Sequence, residues 1–455
     1  MEHTEEQVAI LRFVRECPYS LLIEALAGTG KTTTLIEILK VLPQASAIVL
    51  AFNTRIAEEM VRRMPQLPRN RLVHVKTLHA AGLWLTKQHY PKLQVDKNES
   101  ERLIDRACEK KTSLRVRGAA LKLMRLAKDF QHDRELNADY AFVLGTDMGT
   151  FDKLERPEIQ DAIEVTQRAY ALGLNIAERE KIDFADMSWL PLVLGLEPPH
   201  RYKAVLLDEA QDVSKNQLAM AEKLLAPGGR IIAAGDIFQA IYAWRGATPT
   251  ETWAVFKDKY NTTKFPLTIT WRCDKAIVEA ANTLVPTLRA RESAGEGEVL
   301  ECTEDEFYEI MLSEEPDGSV FVLSRTNADL LRVALELWKR RVLFNITQSS
   351  EVIWPLKDII GKLCKSMRMT SSGDRMAELR QAMSAWRITE MTKADASGSA
   401  TWAERIEEQF RMLTYCSKYV KHPEEIAKLF DNIFTEDKSI TLTLSTVHKV
   451  KGLEA

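Results

Sequence analysis

Short apolar runs alternate with amphipathic stretches over the first ninety residues. SLLIEA (20–25), SAIVLAF (46–52) and RLVHVKT (71–77) read as strands, each followed by a turn signal or a helical pattern. That rhythm predicts a parallel α/β sheet. Between about 90 and 180 the chain is rich in Lys, Arg, Glu, Leu and Ala and reads as helical. Strand patterns return at KAVLLDEA (203–210) and RIIAAGD (230–236), so the helical block reads as an insertion. A second alternation follows, with FPLTITW (265–271), SVFVLSR (319–325), RVLFNIT (341–347) and ITLTLST (440–446) as strands. Between 355 and 438 the chain is again helical and polar, with ADASGSAT (394–401) expected as a loop. The pattern divides the chain into a first α/β core at 1–89 and 181–264, with an insertion at 90–180. A second core is expected at 265–354 and 439–455, with a smaller insertion at 355–438.

Composition narrows the class. At 455 residues the chain exceeds one ordinary core. Its formal net charge is −3, so a nucleic-acid surface would be a local groove rather than a whole basic face. The six cysteines form no CxxC pair, which argues against zinc and a disulfide framework and for a reducing interior. The amphipathic N-terminus does not read as a signal peptide, and no apolar run is long enough to span a bilayer.

Two segments carry chemistry. The strand at 20–25 runs into ALAGTGKTTTLIEILK, a phosphate-binding loop between strand and helix. At Gly28 and Gly30 no Cβ obstructs a phosphate oxygen. Lys31 can reach terminal phosphates, and the Thr32 hydroxyl can hold magnesium. Ala27, Thr29 and Thr33 complete the cradle. The bland alternative is a glycine-rich turn with a chance lysine. LLDEAQD then delivers Asp208 and Glu209 at a strand's C-terminal end, where open α/β sheets bind ligands. Asp208 would hold a magnesium shell, and Glu209 would orient and deprotonate a water. An acidic pair there can also simply begin a helix.

DEAQD with GDIFQAIYAWRGA (235–247) closely resembles the UvrD/Rep family of superfamily 1 helicases. EEQVAI, AFNTRIAEEM (51–60), KTLHAAG (76–82), LTITWRC (267–273), LSRTN (323–327) and STVHKVKGLE (445–454) follow in that family's order. The resemblance implies two RecA-like P-loop NTPase cores with ATP and Mg2+ between them, and tolerates Ala25 in place of the loop's usual first glycine. It gives Gln7 to the adenine edge, and Gln239 and Arg245 to the γ-phosphate. Arg272 becomes a second-domain arginine near the phosphates. Trp271 becomes the adenine-stacking aromatic, where the family usually has tyrosine, and Glu454 a second-domain glutamate near the nucleotide. On the DNA side it implies base stacking by Tyr242 and Trp244, contacts by Phe52 and Asn53, and backbone contacts by Thr77, His79 and His448. Stacking suits a motor indifferent to sequence, since every base has a π-face. A single aromatic is otherwise more often a core residue, and a lone histidine more often structural.

The function implied is an ATP-dependent DNA helicase or translocase on single-stranded DNA, 3′→5′, acting at single-/double-strand junctions without a membrane. The implied location is cytoplasmic and nucleoid-associated, or nuclear in a eukaryote. Alternatives are a motor subunit of a recombination or nuclease complex, a protein-stripping translocase, or a non-catalytic DNA-binding fragment. Two departures bear on this. The chain ends at Ala455, before the family's motif with a further catalytic arginine, and is expected to be a fragment on that account. The 355–438 insertion is small and lacks the family's glycine-containing duplex-contact motif. The run KKTSLRVRGAALKLMRLAK (110–128) has seven basic and no acidic residues, and fits either a DNA-facing patch or a solvated helix face.

Overall fold

The computed structural model describes residues 3–130, 133–147, 149–151, 154–176, 179–240, 249–313, 320–346, 350–367, 374–397, 400–434, 440 and 442–451. Two compact units are present: Met1–Thr150 with Leu154–Val299, and Leu300–Ala455 with Phe151–Lys153.

The first unit is built on a parallel six-stranded sheet. Its strands are β1 (Leu21–Ala25), β2 (Ser46–Ala51), β3 (Leu72–Thr77), β6 (Tyr202–Leu207), β7 (Leu225–Gly235) and β8 (Thr263–Leu267). They lie in the order β3-β2-β6-β7-β1-β8. Side chains alternate faces along each strand. Leu21, Ile23 and Val49 therefore pack with Ile10, Leu35 and Ile38 on one side. Leu22, Ile48 and Leu50 pack with Leu78, Leu85 and Phe256 on the other. Near-continuous apolar strands are what a sheet covered on both faces requires.

The helical insertion leaves and rejoins this unit through a short parallel pair, β4 (Gln94–Val95) with β5 (Lys181–Ile182). Between them run helices Glu99–Ala107, Leu114–Phe130, Ala138–Asp147 and Arg156–Leu174. Lys128, fully buried at the end of the second, lies 2.8 Å from the buried Asp186. Arg179 Nη2 is 2.5 Å from the same carboxylate. Burial alone would raise the Asp186 pKa, but the two cations hold it below the ordinary carboxylate value.

FPLTITW was expected to open the second sheet. Instead β8 is the edge strand of the first, with Leu21–Ala25 in register against Thr263–Leu267. Its continuation β9 (Ile269–Thr270) pairs with β10 (Arg289–Ala290). The boundary between the units accordingly falls at Val299/Leu300 rather than at Phe265. An isolated apolar strand does not encode which sheet it joins.

The second unit holds a three-stranded parallel sheet in the order β11-β13-β12, made of β11 (Val320–Ser324), β12 (Asn345–Ile346) and β13 (Leu442–Thr446). Its helices are Glu304–Ser313, Asn327–Lys339, Ser350–Met367, Arg375–Ser397, Ala400–Cys416, Glu425–Ile433 and Val447–Val450. Sheet and insertion share one core, with Leu335, Leu356, Leu379, Leu413, Phe430 and Leu444 in a single cluster. ADASGSAT is helical through Ser397 and again from Ala400, not the expected loop, while Gly398 and Ser399 lie outside the described residues. Among the described residues no helix is long and apolar enough to cross a membrane.

Candidate nucleotide-binding site and adjoining cleft

Among the described residues, Lys31, Thr32, Asp208, Glu209 and Gln239 gather at the C-terminal edge of the first sheet, where ligands of parallel α/β sheets bind. The loop after β1 turns through Gly28 (φ +70°) and Gly30 (φ +80°) before helix Lys31–Val41 begins. Gly28 also permits a close approach. A Cβ there would fall 2.5 Å from Thr270 Oγ1 and 2.7 Å from Arg272 Cβ. Trp271 N–H donates to the Gly28 carbonyl at 2.8 Å. Both Gln7 Nε2 and the Trp271 ring lie within 4 Å of a Cβ built on Gly30.

Gln7 is held on helix Glu5–Glu16 by a capping box, in which Thr4 N–H donates to its Oε1 at 3.1 Å. Its Nε2 donates to Thr34 Oγ1 at 3.0 Å. Arg272 is in the first unit, beside the phosphate-loop glycine. That corrects its expected place in a second domain, and the cause is the same capture of β8 by the first sheet.

Lys31 Nζ lies 2.7 Å from Glu209 Oε2, both side chains being largely buried. Burial works against the ammonium, but Glu209, Asp208 and Asp236 outweigh it and raise the Lys31 pKa. Asp208 is fully buried at the end of β6. Burial, with the neighbouring Glu209 charge, pushes its carboxyl up to about 6. Thr32 Oγ1 donates to Asp208 Oδ2 at 3.3 Å, and Glu209 N–H to Oδ1 at 2.9 Å. A hydroxyl beside a carboxylate, under a loop of N–H groups and a lysine, is a donor set that fits a hard divalent cation with a polyphosphate. Glu209 adopts φ +51°, rare for a residue with a Cβ and often found at functional turns.

Gln239, after β7, donates through Nε2 to Asp236 Oδ2 at 2.6 Å. Gln211, buried in DEAQD, contacts both sides: Nε2 donates to Glu209 Oε2 at 2.6 Å, and Oε1 accepts from Asp236 N–H at 2.9 Å. Sequence reading gave Gln211 no role, because its partners are joined only by the pairing of β6 with β7.

Beside this site lies a cleft of about 660 Å³ lined by Phe52, Asn53, His79, Arg125, Phe184 and Ser214, among others. Phe184 was missed from sequence. It is 59% exposed and lies edge-on to His79 at 6.2 Å. The available signal was an aromatic at the first position of a helix capped by Asp183. Asn53 and Thr77 cap the helices that follow β2 and β3 and so have structural duties as well. Thr77 lines a separate groove with Arg62 and Lys76. Of the basic run 110–128, Arg125 lines the cleft, Arg117 pairs with Asp105, and Lys128 is buried. Tyr242, Trp244, Arg245 and Glu454 lie outside the described residues, and so does the side chain of His448.

Several known helicases are similar in sequence to this chain. Over 290 residues the chain is 23% identical to the ATP-dependent DNA helicase PcrA of Bacillus subtilis, covering 58% of this chain and 37% of that protein. It is 26% identical over 292 residues to DNA helicase II of Escherichia coli, covering 60% of this chain and 39% of that protein. It is 28% identical over 287 residues to ATP-dependent DNA helicase Rep of E. coli, covering 58% and 41%. The matched region thus spans well under half the length of these relatives. A solved structure titled "Structural Basis for DNA Unwinding at Forked dsDNA by two coordinating Pif1 helicases" aligns at 12% identity with a TM-score of 0.31, covering 73% of this chain and 57% of that one. The family model for the UvrD/REP helicase N-terminal domain matches residues 4–261, more than half of the sequence, and the chain belongs to that family.

Proposed function

We propose that this chain is the motor of an ATP-dependent DNA helicase that moves 3′→5′ along single-stranded DNA. The observation that carries the reading is the buried pairing of Lys31 with Glu209 at 2.7 Å, with Thr32 and Asp208 beside it. A phosphate-loop lysine, a hydroxyl and carboxylate able to hold a cation, and a strand-end glutamate able to orient a water are the parts phosphoryl transfer to water uses. The polarity rests on the family resemblance alone.

ATP is the substrate, its terminal phosphoryl group passing to water as ADP leaves, and Mg2+ would neutralise charge on the phosphates. In this reading the Thr32 hydroxyl and Asp208 carboxylate hold the cation. Lys31 exchanges its ion pair with Glu209 for the terminal phosphates. Glu209, so released, orients a water and takes its proton at Oε2. Gln7 and Trp271 flank the adenine end, while Gln239, Arg245, Arg272 and Glu454 serve the phosphates. Phe52, Asn53, Thr77, His79, Tyr242, Trp244 and His448 form the single-strand track, to which we add Phe184. Two of the relatives are named ATP-dependent DNA helicases, which supports the same reading.

The test is ATP hydrolysis with and without an oligodeoxythymidine. Stimulation by the oligonucleotide is expected. Lys31→Ala should abolish turnover and leave single-strand binding largely intact. Near-normal turnover in that variant would overturn the phosphate-loop assignment.

A further inference from the structure

Glu6 joins two segments that meet at the base end of the proposed nucleotide site. Its side chain, 14% exposed, precedes Gln7 on helix Glu5–Glu16. Thr268, between β8 and β9, donates to it twice: backbone N–H to Oε2 at 2.8 Å, and Oγ1 to Oε1 at 2.6 Å. Arg289 Nη2, from β10, donates to the same Oε1 at 3.1 Å and to Thr268 Oγ1 at 2.7 Å. The phosphate loop holds the same segment on either side of Thr268. Leu26 N–H donates to the Leu267 carbonyl at 3.0 Å, and Trp271 N–H to the Gly28 carbonyl at 2.8 Å.

We propose that Glu6 is a positioning residue that sets the gap between Gln7 and Trp271, and so gives the site its preference for a nucleoside triphosphate over a bare polyphosphate. This rests on the reading of Gln7 and Trp271 as the adenine end. An ionised carboxylate with three donors is held by charge-assisted hydrogen bonds, which are stronger than neutral ones. Gln7 is fixed at both ends of its amide, by Thr4 N–H and by the Thr34 hydroxyl. Trp271 is braced through β10. Parallel register sets Ile269 against Arg289 and Thr270 against Ala290. Next in line, the Arg291 guanidinium lies 5.8 Å from the Trp271 ring centre, within cation–π reach. Residues two apart on a strand share a face, so Arg289 and Arg291 act on the same side of β10. One short strand thus both ties the Glu6 carboxylate and supports the indole. Trp271 remains 38% exposed, which leaves surface for a flat base. Groups held in place before a ligand arrives spare it the entropy of ordering them.

The experiment titrates the protein by calorimetry, in Mg2+, with a non-hydrolysable ATP analogue and separately with inorganic tripolyphosphate. Wild type is expected to bind the analogue more tightly. Glu6→Ala should weaken the analogue about tenfold, the ordering cost of two side chains, and leave tripolyphosphate within about twofold of wild type. Glu6→Gln, which keeps the shape and one acceptor oxygen, should recover part of that loss. Thr268→Val, which removes the hydroxyl donor but keeps the backbone N–H bond, should fall between wild type and Glu6→Ala. A Glu6→Ala protein that weakens both probes alike makes Glu6 a general brace and overturns the proposal. So does one that binds both as wild type does. If Glu6→Ala does not fold, Thr268→Val and Arg289→Ala decide in its place: selective loss of the analogue supports the proposal, and its absence overturns it. A wild type that binds both probes equally, matched by Trp271→Ala, sinks the adenine-end reading itself and the proposal with it.

Discussion

Phe184 is 59% exposed on a cleft that it lines together with Phe52 and mostly polar residues, a setting unlike that of a core aromatic. A ring left exposed beside Phe52 and His79 has a free face to offer a base, and base–aromatic stacking contributes about 1–3 kcal/mol per base. Phe184→Ala is therefore expected to weaken single-strand binding by roughly that amount. Basal ATP hydrolysis should change little, because Phe184 touches none of the phosphate-loop residues described above. Unaltered oligonucleotide affinity would return Phe184 to a surface role. At this scale contiguous residues are legible in the sequence as a group. Gly28, Gly30, Lys31 and Thr32 fall on one turn, and Asp208 and Glu209 on one strand end, so backbone geometry alone places them. Phe184 and Gln211 went unread because each meets a residue from a distant segment, His79 for the first and Asp236 for the second.

At the scale of elements, β3 and β6 meet β2 from opposite sides, and their side chains join across it. His74 Nδ1 is 2.5 Å from the Tyr202 hydroxyl, which also meets His200 Nε2 at 2.9 Å. Burial, and then the nearby Lys76 and His200, lower the His74 pKa from its ordinary 6.5. The sign follows from proton counting. On unfolding, the imidazole returns to its ordinary value, so below about pH 6.5 the unfolded chain binds a proton the folded one resists. The stability contributed by neutral His74 is complete above that pH and is lost as pH falls through the lowered value. Asp208 works in the opposite sense. Its raised pKa, about 6 against an ordinary 3.8, makes the fold gain stability as pH falls between those values. The measurement is therefore a difference: urea midpoints of wild type and His74→Gln from pH 7.5 to about 5, the span in which histidines titrate. Wild type should lose more stability toward acid than the variant. Parallel curves would show that His74 does not titrate differently in the fold.

Across the whole molecule, the described residues proposed for the nucleotide, from Gln7 through Arg272, belong to the first unit. The exposed, irregular stretch from 291 to 303 contains the unit boundary and carries Glu298 and Glu301. Such segments are preferred sites of proteolytic nicking. Brief digestion with a glutamate-specific protease is expected to cut there first. The N-terminal piece should retain binding of a fluorescent ATP analogue. Complete loss of nucleotide binding on that single cut would mean that the second unit supplies an indispensable contact.

The sequence by itself determined the α/β class, where the main strands fall along the chain, the helical nature of both insertions, the phosphate loop and the acidic strand end. Each depends on residues within about a dozen positions of one another, where periodicity and turn chemistry act. Only the tertiary structure decided that β8 completes the first sheet, that Arg272 lies beside Gly28, and that sheet and insertion share one core in the second unit. It alone paired Lys31 with Glu209 and set the Gln211 amide between Glu209 and Asp236. An apolar strand advertises that it will be buried, but not beside which neighbour. That choice is made by competition among all the strands of the sheet, through contacts a linear pattern does not contain.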